Sequence, residues 1–219
     1  MEDSNYVSII IPSRGRTELL YKTLDTIKEN TVYPYYDINI VVDYDDIETY
    51  SNVNGAYNTI INYSYAKYVG SINNGAEHSK NEYIAFLADD VFVESGWLSE
   101  AMYTMQRQFA DNKGIVMFYD KEHNKRSSYG LVSKSFAYSI NNWTLLNSNY
   151  YHKCSEIELQ IKATNLGKST VCKRAIVKHL HDYTEYNDDT KRRTESLKWR
   201  DSRVFNKFLK GSYYENQKR

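Results

Sequence analysis

Residues 81–94 read NEYIAFLADDVFVE, and they contain the pattern that decides the predicted fold. The apolar run at 83–87 has the length and composition of a buried β-strand. Two adjacent carboxylates, Asp89 and Asp90, follow this strand. Because open α/β sheets bind ligands at the carboxyl ends of their strands, we expect the acid pair to line a binding crevice. The alternative is that both aspartates only cap a helix or form a turn, where Asp is common.

The acid pair also indicates the chemistry of a ligand. Neighbouring carboxylates repel each other, and a nearby cation relieves that repulsion. Mg²⁺ and Mn²⁺ take oxygen ligands and bridge carboxylates to phosphates. A functional acid pair therefore predicts a divalent metal and a phosphate-bearing ligand.

The chain before this stretch alternates between strand-like and helix-like patterns. The predicted strands lie at 7–11, 38–42 and 67–69, and the predicted helices at 18–30, 53–65 and 76–80, with a loop at 73–75. A strand, a helix and a second strand in succession predict a parallel pair with a right-handed crossover. The alternation predicts an α/β half of roughly ninety residues, the size of a nucleotide-binding unit.

The chain after this stretch is less regular. Helices are predicted at 96–109, 136–146, 155–166 and 190–209, and strands at 114–119, 130–136 and 175–181. Ser155 can cap its helix and Gly167 can end it. The whole pattern predicts an α/β protein with a mainly parallel sheet flanked by helices and with a helical C-terminal segment.

Length and composition set further limits. The chain has 219 residues, 41% of them hydrophobic, so it is long enough for one domain with a real core. Lys plus Arg and Asp plus Glu both number 28, so the bulk charge steers no particular partner. Two cysteines make no disulfide framework, and no signal peptide or membrane-spanning run is visible. We therefore expect a cytoplasmic protein without integral membrane contact.

The motifs and their order resemble the GT-A-type glycosyltransferases, specifically the family 2-like nucleotide-diphospho-sugar transferases. The matching pieces are the opening strand and loop at 7–16, the strand end at 41–43, the approach to a metal-binding motif at 74–75 and 82–90, and the acidic motif at 156–159 followed by Gly167. The resemblance implies a GT-A (Rossmann-like) fold for a single domain spanning 1–219. Its parts are a nucleotide-sugar-binding half at 1–94, an acceptor-side half at 95–185 and a helical segment at 186–219.

The metal-binding motif departs from the family at one position. Ala88 stands where the family often has the first of three acids. The resemblance therefore implies Asp90 as the direct metal ligand and Asp89 on the sugar or ribose side. It also implies a further ligand late in the fold, often a histidine, and His179 and His181 fit because they share one strand face. An imidazole ligand favours Mn²⁺ over Mg²⁺, and two ordinary histidines are the alternative.

The resemblance assigns a second set of residues to the nucleotide sugar. Asp43 would accept hydrogen bonds from the base or ribose, and Arg14 and Arg16 would face the base or diphosphate. Trp97 would stack on the sugar or acceptor, with a core position as the alternative. The remaining predicted donor contacts are Pro12, Ser13, Asn74, Gly75, Lys191 and Arg192, the last two on a segment for which a solvated basic helix is the alternative.

An inverting transferase needs a general base for the acceptor hydroxyl. The resemblance implies Glu156 as this base and Glu158 as the second choice, and exposed helix acids are the alternative for both. We therefore predict a metal-dependent glycosyltransferase that uses a nucleoside-diphosphate sugar, with UDP as the nucleotide. The sequence leaves inversion or retention open, and a glycan, a protein or a modified nucleic acid open as the acceptor.

Two other hypotheses compete with this prediction. A nucleotidyltransferase of similar layout would want a glycine-rich phosphate loop, and the loop at 13–16 has a single glycine. A non-catalytic binding protein on the same scaffold is compatible with the acid that is missing at Ala88.

Overall fold

Eight strands of the chain join in one mixed β-sheet. The computed structural model describes residues 5–180 and 188–216, and side chains of the last helix are described at 197–211. The strands are β1 (Val7–Ser13), β2 (Tyr36–Asp43), β3 (Asn58–Asn62), β4 (Tyr83–Phe86), β5 (Val91–Val93), β6 (Ile115–Asp120), β7 (Lys125–Ser133) and β8 (Ser169–His179). The helices are α1 (Thr17–Asn30), α2 (Ile47–Val53), α3 (Lys67–His78), α4 (Trp97–Gln108), α5 (Lys134–Ile140), α6 (Ser155–Asn165) and α7 (Asp188–Asn216). The strand order in the described residues is β3-β2-β1-β4-β7-β6-β8-β5.

The first four strands form the parallel part of the sheet. β1 pairs in parallel with β2 on one side and β4 on the other, and β3 pairs in parallel with β2. The residues from Val7 to Ile11 are fully buried, as expected for a strand that is covered on both faces. The predicted strands at 7–11, 38–42 and 83–87 are therefore confirmed, as is the parallel pairing of the first two across their helix.

The third β/α unit differs from its prediction. Residues 53–65, predicted as a helix, contain the end of α2 and the whole of β3. Residues 67–69, predicted as a strand, are the first turn of α3. The predicted loop at 73–75 and most of the predicted helix at 76–80 belong to this same helix.

The reason for these errors is that the helical spacing of α3 is interrupted by poor helix formers. Val69, Ile72 and Ala76 are buried on one face at helical intervals, but Asn-Asn-Gly lies between the second and the third of them. Packing of that face against the sheet outweighs the low intrinsic propensity, and local patterns cannot show such packing.

Gly75 is where α3 comes closest to the sheet. A Cβ atom on this residue would lie 2.5 Å from Cγ2 of Ile10 and 3.1 Å from Cγ2 of Val41. These separations are shorter than carbon atoms tolerate, so only glycine allows the helix to lie at this distance. The contact explains a glycine in the interior of a helix, where it normally reduces stability.

An antiparallel extension adds the second half of the chain to the sheet. β7 pairs antiparallel with both β4 and β6, and β8 pairs parallel with β6. The short β5, which follows the acid pair directly, leaves β4 and pairs antiparallel with β8. This pairing sets Val91 opposite His179 and therefore brings the end of β8 next to the acid pair.

The later helices agree with their predicted positions apart from their ends. α4, α6 and α7 coincide with the predicted helices. The predicted strand at 130–136 ends at Ser133, and α5 begins at the next residue. The helix predicted at 136–146 ends at Ile140. Within 5–180 and 188–216, no helix combines the length and the apolar character that crossing a membrane requires.

Candidate active site

The acid pair occupies the turn between β4 and β5, at the carboxyl edge of the parallel strands. Asp89 has no exposed surface. Its side chain accepts a hydrogen bond from Oγ of Ser13 at 2.8 Å and forms a two-point ion pair with Arg16. Its backbone carbonyl accepts a hydrogen bond from Thr23 at 2.8 Å, which fixes the turn against α1. The predicted contact of Asp89 with a sugar or ribose stays a prediction, and in this arrangement the carboxylate is enclosed by Ser13 and Arg16.

Arg16 bridges the two acids. Besides its ion pair with Asp89, it donates from Nη1 to Oδ2 of Asp90 at 3.0 Å. Burial, partly offset by the positive charge of Arg16, raises the pKa of Asp89 to about 6, and the charge of Asp90 adds to the rise. For Asp90, burial acts in the same direction, but His179 and Arg16 outweigh it and lower its pKa. Asp90 therefore loses its proton at lower pH than Asp89, and it is the stronger anion of the pair.

His179 completes this cluster from β8. Its Nε2 lies 3.2 Å from Oδ1 of Asp90 and 3.2 Å from the hydroxyl of Tyr129. The Tyr129 and His179 rings stand perpendicular, with centroids 5.3 Å apart. His179, predicted as a metal ligand, lies beside Asp90 in the structure, and its role as a ligand stays a prediction. His181, the other predicted ligand, lies outside the described residues.

One oxygen of this cluster fits a metal ion. Oδ1 of Asp90 is buried and has no hydrogen bond of good geometry among the described residues, although it lies beside Nε2 of His179. A carboxylate oxygen and an imidazole nitrogen at this spacing suit a divalent cation, with Mn²⁺ favoured by the nitrogen. No group of three or more His, Cys, Asp or Glu side chains suited to a metal occurs in the described part of the chain. Oxygens from a bound diphosphate would therefore have to complete the coordination.

A second charged cluster lies at the end of β2. Arg14 donates from Nη1 to Asp43 at 3.0 Å and from Nη2 to Asp45 at 2.8 Å. Asn62, at the end of β3, donates to the other oxygen of Asp43 at 2.9 Å. The guanidinium carbon of Arg14 lies 5.3 Å from the centroid of the Tyr65 ring. Asp43 and Arg14 thus form a polar group beside an exposed aromatic ring, a combination that can bind a base and ribose.

Glu156 is a buried carboxylate in the first turn of α6. Its exposed fraction is 7%. Burial raises its pKa to about 7, and the positive charge of Arg126 and a hydrogen bond from Ser128 oppose this rise. A carboxylate with such a pKa can accept and release a proton near neutral pH.

Two buried tyrosines, Tyr68 and Tyr129, are near enough to both Glu156 and Asp90 to interact with the charge of each. The hydroxyl of Tyr68 is buried and accepts or donates no hydrogen bond among the described residues. Burial raises the pKa of Tyr68 and of Tyr129 well above the ordinary value, and the negative charges of both Asp90 and Glu156 contribute in each case. His152 packs edge-on against the Tyr68 ring, with centroids 6.0 Å apart. The sequence analysis missed these three aromatic residues, because no local motif marks them.

Glu158 has a different environment from Glu156. Its carboxylate accepts hydrogen bonds from Asn147 at 2.7 Å and from the hydroxyl of Tyr150 at 2.6 Å, and Lys162 forms an ion pair with it at 2.7 Å. With both oxygens engaged, Glu158 fixes the segment before α6, and it is the weaker candidate for a base.

Several predicted donor contacts have structural roles in the fold. Trp97 is fully buried, packs edge-on against Phe118 and donates from Nε1 to Thr31 at 2.9 Å, so the prediction that it stacks on a sugar is wrong. Asn74 donates to Oδ1 of Asn62 at 2.8 Å. Gly75 lies in α3 against the sheet, and Pro12 lies in β1. Lys191 and Arg192 belong to the part of α7 whose side chains are not described, and their predicted donor contacts stay predictions.

Known proteins similar to this chain agree on its family and its fold. The model of the glycosyl transferase family 2 matches residues 8–180. The uncharacterized protein y4gI of Sinorhizobium fredii is 29% identical over 133 residues, which are 54% of this chain and 14% of that protein. The mannosyltransferase PcManGT of Pyrobaculum calidifontis, solved with GDP-Man and Mn²⁺, superimposes with a TM-score of 0.62 at 10% identity, over 82% of this chain and 59% of the other. The crystal structure of S. aureus TarS 1–349 superimposes with a TM-score of 0.58 at 12% identity, over 80% of this chain and 60% of the other. The chain thus has the GT-A fold and spans less than two thirds of each of these proteins.

Proposed function

This chain belongs to glycosyl transferase family 2, and on that premise we propose that it transfers a sugar from a nucleoside-diphosphate sugar to a hydroxyl group of an acceptor. The observation that carries the proposal is the cluster of Arg16, Asp90 and His179 at the carboxyl edge of the sheet. Glu156 is near enough that its charge acts on the same two tyrosines as that of Asp90. A divalent ion held at this cluster would neutralise a leaving diphosphate, and a buried base nearby would take the proton of the acceptor, which together are what sugar transfer requires.

The nucleotide end of the donor would bind at the end of β2. Asp43 can accept hydrogen bonds from the base or ribose, and the Arg14 guanidinium suits either the base or a phosphate. UDP is the nucleotide we propose. The GDP-Man in the similar mannosyltransferase belongs to that protein, and it makes GDP the first alternative to test.

The diphosphate end would bind at the acid pair. Asp90 and His179 would hold the divalent ion, preferably Mn²⁺, and this ion would supply Lewis-acid neutralisation of the charge on the leaving diphosphate. Arg16, already between the acids, would add a fixed positive charge beside the same group. Asp89, enclosed and bound to Arg16, would keep that guanidinium in place.

Glu156 would act as the general base. The acceptor oxygen attacks the anomeric carbon, its proton passes to the Glu156 carboxylate, and the bond from that carbon to the diphosphate oxygen breaks with its electron pair. Attack from the face opposite the leaving group inverts the anomeric configuration. We propose this inverting course, with a glycan, a protein or a modified nucleic acid as the acceptor and the cytoplasm as the location.

A non-catalytic nucleotide-sugar-binding protein is the second candidate. It is favoured by the Arg16 ion pairs, which already compensate the acid pair, and by the two-ligand metal site of the described residues. This candidate predicts donor binding without turnover. A nucleotidyltransferase would instead join a nucleoside triphosphate to a sugar phosphate, with release of pyrophosphate and the sugar still bonded to its phosphate.

The experiment is a turnover assay with Mn²⁺ and a panel of UDP-, GDP- and other nucleotide sugars. Release of a nucleoside diphosphate from one of them, with loss of this release in Asp90→Asn and Glu156→Gln, supports the proposal. Asp111→Asn, at an exposed carboxylate paired with Lys168, is the matched control and should keep wild-type turnover. Binding without release would support the second candidate, and full activity in both site variants would remove the assigned roles.

A further inference from the structure

The turn at 151–153 is held from two directions. The backbone carbonyl of Tyr151 accepts a hydrogen bond from the amide of Val69 in α3 at 3.1 Å. The Tyr151 ring lies between two cations, with Nζ of Lys67 at 3.6 Å and the guanidinium carbon of Arg200 at 3.4 Å from its centroid. Arg200 also donates to the carbonyl of Asn149 at 2.9 Å. The turn therefore joins the start of α3 to the C-terminal helix.

Asp201 of α7 makes the most specific of these contacts. Its side chain has no exposed surface. Oδ1 accepts the backbone N–H of Tyr151 at 3.0 Å, and Oδ2 accepts those of His152 at 2.8 Å and Lys153 at 3.0 Å. A buried carboxylate that accepts three backbone N–H groups is a strong, charge-assisted anchor for a turn.

The turn leads directly into the helix that carries Glu156. Cys154 follows it with a φ of +72°, a left-handed conformation that a non-glycine residue adopts only when its surroundings impose it. The Cys154 carbonyl then accepts the N–H of Glu158 at 2.9 Å and begins α6. Glu156 lies in this first turn, so its position depends on how the 151–153 turn is held.

We propose that Asp201 is a positioning residue for Glu156, because it fixes through the 151–153 turn the start of the helix from which the base acts. The inference rests on the proposed function, since it assigns to α7 a part in the same reaction. It makes the C-terminal helix a component of the active site, although Asp201 touches no reacting atom.

The charge of Asp201 also acts on the pKa of Glu156, which gives a second measurement of the proposal. The titratable and polar groups that interact with the Glu156 carboxyl are Arg126, Ser128 and Tyr129 of β7, Tyr68 of α3, Cys154 before α6, and Asp201. Burial is the largest cause of the raised pKa of Glu156, Arg126 and Ser128 oppose it, and Asp201 adds to it. Removing the charge of Asp201 should therefore lower the pKa of Glu156.

The test compares Asp201→Asn with Ser202→Ala. The asparagine keeps the shape of the side chain but loses its charge and one of its two accepting oxygens. Ser202 is the next residue of α7, and its hydroxyl donates to the carbonyl of Lys198 within the helix, so it is a matched control. Measurements are nucleoside-diphosphate release from the best nucleotide sugar with Mn²⁺ between pH 5 and 9, the donor KM, and hydrogen exchange of the 151–153 amides.

The proposal expects three changes in Asp201→Asn and none in Ser202→Ala. The plateau kcat falls by about tenfold or more, the donor KM stays within about twofold, and the acidic limb of the profile moves to lower pH. The 151–153 amides exchange faster. If kcat and the acidic limb of the pH profile are both unchanged in Asp201→Asn, the positioning role is overturned. Equal losses of donor binding and kcat would also overturn it.

Failure of the proposed function is distinguishable from failure of this inference. A wild-type protein without turnover on any nucleotide sugar contradicts the proposed function, and amide exchange then decides whether Asp201 holds the turn. Unchanged exchange at 151–153 in Asp201→Asn overturns the inference whether or not turnover is found.

Discussion

Glu156 combines two features that are rarely found together on a helix surface, a glutamate in the first turn and nearly complete burial. Asp and Glu are favoured near helix N-termini, so the position itself is ordinary. Burial is the unusual part, because it keeps the carboxyl partly protonated near neutral pH. The residue is thus suited to a proton transfer, whereas Glu158 two positions later is fixed by three donors.

Replacing Glu156 by glutamine should reduce the rate without reducing donor affinity. We expect kcat to fall by about 10²–10⁴-fold, the usual contribution of a general base, because the amide cannot accept the acceptor proton. Nucleoside-diphosphate release and calorimetric donor binding are the measurements. Glu77→Gln, at an exposed position on α3, should behave as wild type. A Glu156→Gln variant that retains full kcat would show that another group takes the proton.

The pH dependence should follow the protonation of the same residue. With a pKa raised by burial to about 7, Glu156 is a competent base only above that pH, so kcat should rise through about pH 7 and then level off. The proton binds more tightly in the folded than in the unfolded chain, so the associated stability is present at low pH and is lost as pH rises through about 7. Glu156→Gln should abolish the rise of kcat and remove the share of the stability change that comes from Glu156. A rate that is flat from pH 5 to 9 would contradict this assignment.

Among the elements, α3 depends most clearly on a single residue. Gly75→Ala would place a methyl group 2.5 Å from Ile10, and we expect a loss of about 1–3 kcal/mol in the free energy of unfolding. Gly211→Ala in α7 is the matched control, because no atom of the described residues lies within 4 Å of its added Cβ. That change should be neutral or stabilise by up to about 1 kcal/mol. Urea unfolding measures both, and equal effects of the two substitutions would contradict the packing argument.

The sequence predicted best those elements whose burial pattern is continuous. β1, β2, β4 and β6 are runs of apolar residues, and α4 and α6 carry regular apolar spacing, so local rules suffice for them. The predictions for β3 and α3 were wrong. Two glycines and a pair of asparagines in α3 obscure the apolar spacing that would mark it as a helix. Its helical state depends on the contact of Gly75 with Ile10, which only the folded sheet provides.

Only part of the candidate site could be predicted, because the rest of it depends on contacts between distant residues. Asp90 and Glu156 belong to ordered local motifs, so a resemblance of the sequence can identify them. Tyr68, Tyr129 and His152 come from a helix, a strand and a turn. Tyr68 packs against His152, and Tyr129 packs against His179, contacts between residues far apart in the sequence that no local motif marks. The Arg16 ion pairs were also missed, since the sequence places that arginine 73 positions before Asp89.

In the whole molecule, the site is a junction between the two halves of the chain. The parallel half supplies Ser13, Arg16 and the acid pair, and the antiparallel half supplies His179 and Glu156. The strand β5 links them, because it continues from the acid pair into a pairing with β8. The residues of the proposed donor site and the proposed base therefore lie on one continuous sheet and its flanking helices.

The most direct test of this account is anomalous diffraction from crystals grown with Mn²⁺ and UDP, or with GDP if UDP does not bind. We predict a manganese peak at bonding distance from Oδ1 of Asp90 and Nε2 of His179, with diphosphate oxygens completing its coordination. A nucleotide bound with its diphosphate away from the turn between β4 and β5, or manganese held elsewhere on the protein, would contradict the account.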